Sequence, residues 1–254
     1  MSERMQLDAG GHRLEGAWHG PHPQRAPSLV LLHEGLGSVA AWRSWPADLA
    51  RATGLGVFVY SRWGYGDSDA REAPWPLDYM HEAARDVPAV LDAAGVRDCV
   101  LVGHSDGASI AIMARDPRIQ GLALMAPHVF VEDVSVASIA KARQSFFHTD
   151  LRKRLAKYHG GNVDGAFWGW NRAWLDPEFR AWNLEAFLPE ITSPVLVVQG
   201  DADPYGTLAQ VDAIERGVKG PFERLIVPGG HAPWREAAEP TTAAIVAHAR
   251  ACLG

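Results

Sequence analysis

The chain has 254 residues, 47% of them hydrophobic and 21% charged, with a formal net charge of −6 at pH 7. This is the make-up of an ordinary globular protein, long enough for one α/β domain or two smaller ones. The acidic balance weighs against nucleic acid or an anionic membrane as the main partner.

Met1 to Gln6 hold no apolar signal core, and no apolar run approaches the length of a membrane span. The two cysteines, Cys99 and Cys252, are too few for a disulfide framework, so a cytoplasmic location is expected. Met5 to His19 reads as an antiparallel hairpin turning at Gly10-Gly11. Ser28–Leu32 is a near-continuous apolar strand, as expected when both faces of a sheet are covered. A helix from about Val39 to Ala52 is stopped by Thr53-Gly54, and Gly56–Tyr60 is the next buried strand. The long helix from about Asp78 to Ala94 has Asp78 as N-cap and Gly95 as its stop, and Pro88 is expected to kink or divide it. Cys99–Val102 is a strand, Ala108–Ala114 helical, and Gly121–Met125 another strand.

The pattern changes near Val129. From there to about Pro189 it is helical, rich in aromatics and without a strand-like run. Within it Arg152, Lys153, Arg154 and Lys157 stand at helical spacing and read as a solvated helix face. Alternation resumes with a strand at Pro194–Val198, a helix at Leu208–Arg216, a strand at Arg224–Val227 and a final helix at about Glu236–Ala251. Strands alternating with helices imply a mostly parallel sheet of about eight strands. Residues 1–127 and 191–254 form its core, and 128–190 a helical cap over a site at the strand ends.

Gly103-His104-Ser105-Asp106-Gly107 matches G-x-S-x-G between a strand and a helix. There the serine occupies a strained turn with its hydroxyl exposed, and the Asp106 amide at the helix start can donate to a developing oxyanion. A serine hydroxyl is a poor nucleophile without a base. Two later strand ends supply such partners, an acid and then a histidine. One ends in Gly200-Asp201-Ala202-Asp203-Pro204 and the other in Gly229-Gly230-His231-Ala232-Pro233. His231 is favoured over ten other histidines by its loop. Of the acids, Asp203 is favoured because it lies deeper in its loop and is fixed by Pro204, with Asp201 the alternative as a turn former. Glu132 or Asp133 could also supply the acid, but no comparable turn signal marks them.

With the turn at His33-Glu34-Gly35-Leu36 and the run Tyr60 to Ser68, these motifs resemble the α/β-hydrolase superfamily, in the branch with a helical cap between the sixth and seventh strands. The resemblance spans nearly the whole chain and implies a serine hydrolase with the triad Ser105, His231 and Asp203. It places a second oxyanion donor in the His33 turn, with Gly35 preferred and Glu34 and Leu36 left open. Where the family usually carries His-Gly, this chain has His33-Glu34. Glu34 is therefore either a turn residue or a pocket-floor group that could orient water or bond a substrate hydroxyl.

Glu34, Leu36, His128, Phe130, Trp168 and Trp234 are the pocket candidates. The aromatic insert suggests a small to medium hydrophobic or aromatic substrate. No dinucleotide fingerprint, P-loop or zinc spacing occurs, so no cofactor or metal is expected. The expected partner is this small molecule, with no nucleic acid or membrane and with the chain a monomer or homodimer. Carboxylic ester hydrolysis is the reading adopted. Carbon–carbon, lactone, thioester or amide hydrolysis, cofactor-free oxygenation and a low-turnover receptor on the same triad are the alternatives. A serine at the elbow argues against epoxide hydrolases and haloalkane dehalogenases, which use aspartate there.

Overall fold

The computed structural model describes residues 3–254. Eight strands form one sheet: β1 (Glu3–Ala9), β2 (His12–His19), β3 (Ser28–Leu32), β4 (Gly56–Tyr60), β5 (Cys99–His104), β6 (Ile119–Met125), β7 (Val195–Gly200) and β8 (Phe222–Val227). Their order is β1-β2-β4-β3-β5-β6-β7-β8, and only β2 runs against its neighbours. The β1–β2 hairpin turns through Gly10 and Gly11, both at positive φ, the conformation a tight two-residue turn demands.

The central strands read as continuous apolar runs because each feeds two cores. Val30 and Leu32 of β3 point into one, Leu29 and Leu31 into the other, as the two-residue strand period requires. The first core is covered by α2 (Tyr79–Ala93), α3 (Asp106–Met113), α7 (Leu208–Gly217) and the insert. The second is covered by α1 (Trp45–Thr53), α8 (Pro233–Glu236) and α9 (Ala238–Leu253).

Two local expectations are corrected. The helix foreseen over 39–52 is a short 3-10 turn (Ala40–Trp42) followed by α1, because Arg43 takes a positive φ that no helix continues through. Helix α2 runs unbroken past Pro88. Burying Val87, Val90 and Leu91 is worth about 1.5–3 kcal/mol each, against ~3 kcal/mol for an internal proline. Asp78 occupies the N-cap of α2 without a side-chain capping bond, and its carboxylate instead meets Arg85 at 3.5 Å. Gly95 ends the helix at positive φ, as foreseen.

Between β6 and β7 lie α4 (Asp133–His148), α5 (Leu151–His159), α6 (Val163–Leu175) and 3-10 turns. No named strand occurs there among the described residues, and one isolated bridge joins Phe130 to Asn183. Arg152, Lys153, Arg154 and Lys157 are exposed on α5, where Arg152 pairs with Asp164 and Arg154 with Asp150. Cys99 and Cys252 are free thiols. No helix among the described residues is long and apolar enough to cross a membrane.

Candidate active site

Ser105 sits between β5 and α3 at φ 54°, ψ −120°, a conformation costing an ordinary residue about 1–3 kcal/mol. Two glycines permit this turn. A Cβ on Gly107 would lie 2.1 Å from the Leu32 carbonyl oxygen, and one on Gly103 would lie 2.5 Å from Ala108 Cα. All eight residues of α3 are buried, so the tight turn is clamped by packing on every side.

His231 lies in the loop after β8. Its Nε2 is 2.9 Å from Ser105 Oγ, and its Nδ1 is 2.9 and 2.8 Å from the two carboxylate oxygens of Asp203. Asp203 also accepts from Gln199 Nε2 and from the Tyr205 amide, each at 2.8 Å. Burial would push its carboxyl pKa up, but the His231 bond and charge outweigh this and the net shift is downward. Asp203 is thus an ionised acceptor for three donors. Asp201 is exposed and accepts from the Gly229 amide at 3.1 Å, which is the turn-forming role.

Glu34, Gly35, Leu36 and Asp106 all line the cleft, and none of their amides donates to a protein acceptor among the described residues. The turn after β3 and the start of α3 thus each offer a free donor of the kind an oxyanion would need. The turn carrying Gly35 is fixed by His33, which is fully buried. His33 Nδ1 donates to the Glu34 carbonyl at 2.7 Å and Nε2 accepts from the Arg62 amide at 3.1 Å, so its tautomer is set by its partners. Burial and then the Arg62 charge lower its pKa well below the ordinary value. The Arg62 guanidinium donates to the carbonyls of His33 and Glu34.

The cleft has a volume of about 410 Å³. Of the pocket candidates, Glu34, Leu36, His128 and Trp234 line it, whereas Phe130 and Trp168 do not. Phe130 is held away by its bridge to Asn183 and by Gln210, which accepts from its amide and donates to its carbonyl. Trp168 is on the outer side of α6 against Phe146 and Phe147, between Arg143 and Arg172. The insert's walls of the cleft are instead Ile139, Trp170 and Trp174. Trp170 and Trp174 are one turn apart and share a face, while Trp168 is roughly 200° round the helix from Trp170. A Cβ on Gly35 would lie 2.2 Å from Trp170 Nε1, so the insert seats directly on this turn.

Tyr205, beside Asp203, was also missed. Its ring lies 4.6 Å from that of His231, and adjacency to the acid was the available signal.

Three ionisable groups define the electrostatics. Glu34 is 30% exposed. Burial alone would raise its carboxyl, but the adjacent His104 imidazole and then His33 hold it at about 2. His128 is lowered to about 3 by burial and by the charge of His231, so it is neutral near pH 7. The Asp106 carboxyl is raised, chiefly by burial. It accepts from the Tyr79 hydroxyl, which in turn accepts from Trp174 Nε1 at 3.0 Å.

A mostly parallel sheet with a strained serine at a strand–helix turn and an Asp–His pair from two later strand ends defines an α/β hydrolase architecture. Residues 29–244 match the model of the alpha/beta hydrolase family, and the chain belongs to that family. Epoxide hydrolase B of Mycobacterium tuberculosis (strain ATCC 25618 / H37Rv) is 32% identical over 107 residues, 41% of this chain and 29% of that protein. Human serine hydrolase BPHL is 25% identical over 188 residues, 69% of this chain and 64% of that protein. The chain thus spans under two thirds of the length of both curated relatives. The enol-lactonase from Burkholderia xenovorans LB400 superposes with a TM-score of 0.76 at 22% identity, covering 96% of this chain and 99% of that one, a likeness of fold.

Proposed function

We propose that the protein hydrolyses carboxylic esters of small to medium hydrophobic or aromatic substrates through an acyl-enzyme on Ser105. The observation that carries this reading is the 2.9 Å contact from Ser105 Oγ to His231 Nε2, with the Asp203 carboxylate on the far ring nitrogen. Ser105 attacks the ester carbonyl while His231 takes the hydroxyl proton. The Gly35 and Asp106 amides hold the oxyanion, each such donor being worth on the order of 3 kcal/mol. His231 then protonates the departing alkoxide. Water, deprotonated by His231, attacks the acyl carbon, and the proton returns to Ser105 as the acid leaves. Asp203 keeps Nδ1 protonated and Nε2 free to accept. The chain's own groups carry every step.

The walls favour an apolar acyl or aryl group, since Leu36, Ile139, Trp170, Trp174 and Trp234 surround the serine. The ionised Glu34 favours neutral or cationic substrates over anionic ones. Among the relatives' named activities, a serine at the elbow supports acyl transfer over epoxide opening. We place the protein, on this reading, in the cytoplasm with a small molecule as its partner.

Labelling with a fluorophosphonate, with Ser105→Ala as control, tests the nucleophile. A p-nitrophenyl ester chain-length series, widened to lactones and vinylogous diketones, tests the bond cleaved. Labelling of the wild type alone is expected, with turnover greatest on short or aryl esters. Failure to label would leave a ligand-binding role as the better account.

A further inference from the structure

His104 immediately precedes the nucleophile and its side chain is 3% exposed. Its Nε2 lies 2.6 Å from the main-chain oxygen of His231. A carbonyl only accepts, so Nε2 carries a proton and donates. The other ring nitrogen is buried without a hydrogen-bond partner and lies 3.5 Å from Glu34 Oε2, in contact with the carboxylate but outside well-formed hydrogen-bond geometry.

The rest of the His231 loop is held differently. Glu236 accepts from the flanking amides of Gly230 and Ala232, at 2.7 and 3.1 Å. The carbonyl between them has no donor other than His104 among the described residues. Glu34 adjoins Gly35, and His104 adjoins Ser105. A single path, Glu34 to His104 to the His231 carbonyl, therefore joins the three segments that meet at the reacting carbon.

We propose that Glu34 and His104 are positioning residues for His231. Glu34 fixes the His104 ring so that its Nε2–H clamps the His231 main chain, while Asp203 holds the His231 side chain. The two restraints together set where His231 Nε2 meets Ser105 Oγ. The catalytic consequence rests on the serine-hydrolase reading above, whereas the clamp itself does not. A catalytic group displaced by about 1 Å loses on the order of a hundredfold in rate, which is the scale of effect the clamp would have.

The test compares His104→Phe, which keeps a ring but has no donor, with His104→Gln, whose amide can reach the same carbonyl without Glu34. Glu34→Ala and Glu34→Gln are measured beside them. The first readout needs no turnover: the low-field proton resonance of the His231–Asp203 bond in the resting protein. The second is the rate of Ser105 phosphonylation, with kcat and KM on a p-nitrophenyl ester.

In His104→Phe and Glu34→Ala the resonance should broaden or vanish. Phosphonylation and kcat should fall by ~10–100-fold, with KM unchanged and the melting temperature within ~4 °C. His104→Gln should restore the resonance and recover most of the lost rate. An intact resonance in His104→Phe overturns the proposal, and so does a His104→Gln variant as impaired as His104→Phe, because the ring would then act by its volume. If the wild type never reacts with the phosphonate, the serine-hydrolase reading falls while the resonance still decides the clamp.

Discussion

Asp203→Asn separates the acid's charge from its shape. Asp203 is ringed by donors: the Tyr205 amide on one oxygen, Gln199 Nε2 on the other, and His231 Nδ1 against both. An asparagine amide turned toward Tyr205 would meet a fixed main-chain donor. Turned toward Gln199 it finds a partner, because Gln199 Oε1 is buried and unpaired and the glutamine can flip to accept. The variant should therefore fold with little loss of stability and still offer one oxygen to His231 Nδ1. What it loses is the negative charge that stabilises the imidazolium formed as Ser105 attacks. Such a loss, with partial scrambling of the tautomer, should lower kcat by about 10²–10⁴-fold, or ~3–5.5 kcal/mol, with KM little changed. Steady-state kinetics on a p-nitrophenyl ester, with a thermal melt as control, measure it. Asp201→Asn, which touches only the Gly229 amide, should stay within about threefold. A fall below tenfold in Asp203→Asn would refute the orienting role, and an equal fall in Asp201→Asn would transfer it.

Trp170→Ala should lower kcat/KM for aryl esters at least tenfold by removing a cleft wall worth ~1–3 kcal/mol. Trp168→Ala, on the outer side of α6, should leave kinetics unchanged, and equal effects of the two would contradict the assignment of faces. His128 has a folded-state pKa of about 3 against ~6.5 unfolded, so between these values the unfolded chain holds a proton that the folded one lacks. Stability is therefore lost as pH falls through that window. Urea melts at descending pH should show a shallower loss in His128→Gln, and an unchanged slope would count against a buried neutral imidazole. In Gly107→Ala the new methyl would lie 2.1 Å from the Leu32 carbonyl and 2.7 Å from that of His33, both main chain. A loss of about 3 kcal/mol, or roughly 10 °C in melting temperature, is expected. A melt indistinguishable from wild type would show that α3 and β3 can part without cost.

Strand positions were the most legible feature, because strands covered on both faces write themselves as unbroken apolar runs. Ser28–Leu32 and Gly56–Tyr60 match residue for residue. Local signals failed where a single backbone angle or the tertiary burial decided. Nothing in the Val39–Ala52 pattern announces a positive φ at Arg43, and the burial that carries α2 through Pro88 is invisible until α2 meets the sheet. The segments that carry chemistry were legible because glycine and proline punctuate them. The pocket walls were legible only as a population of aromatics. Periodicity could group Trp170 with Trp174 and set Trp168 apart, but not say which group faced Ser105. Phe130 followed a strand, as a pocket residue would, yet its peptide was already committed to Asn183 and Gln210.

This division has a physical root. The strain at Ser105 requires an environment that cannot relax, and α3 supplies it by having no solvent-facing side. The chemistry is thus written in the least adjustable part of the chain, in glycines whose Cβ atoms would collide with main chain. Three of the cleft walls, Ile139, Trp170 and Trp174, hang from α4 and α6 on the insert, bound to the core by side-chain contacts such as Ser135 to the Tyr205 carbonyl and Trp174 to Tyr79. A change at Trp170 or Ile139 alters what fits without moving the Ser105–His231 contact. A change at Gly35 cannot be so local, because that glycine lies under Trp170 and beside Glu34, in the turn that lines the cleft with free amides. Selectivity and rate should therefore vary independently across the insert and fail together at the turn after β3.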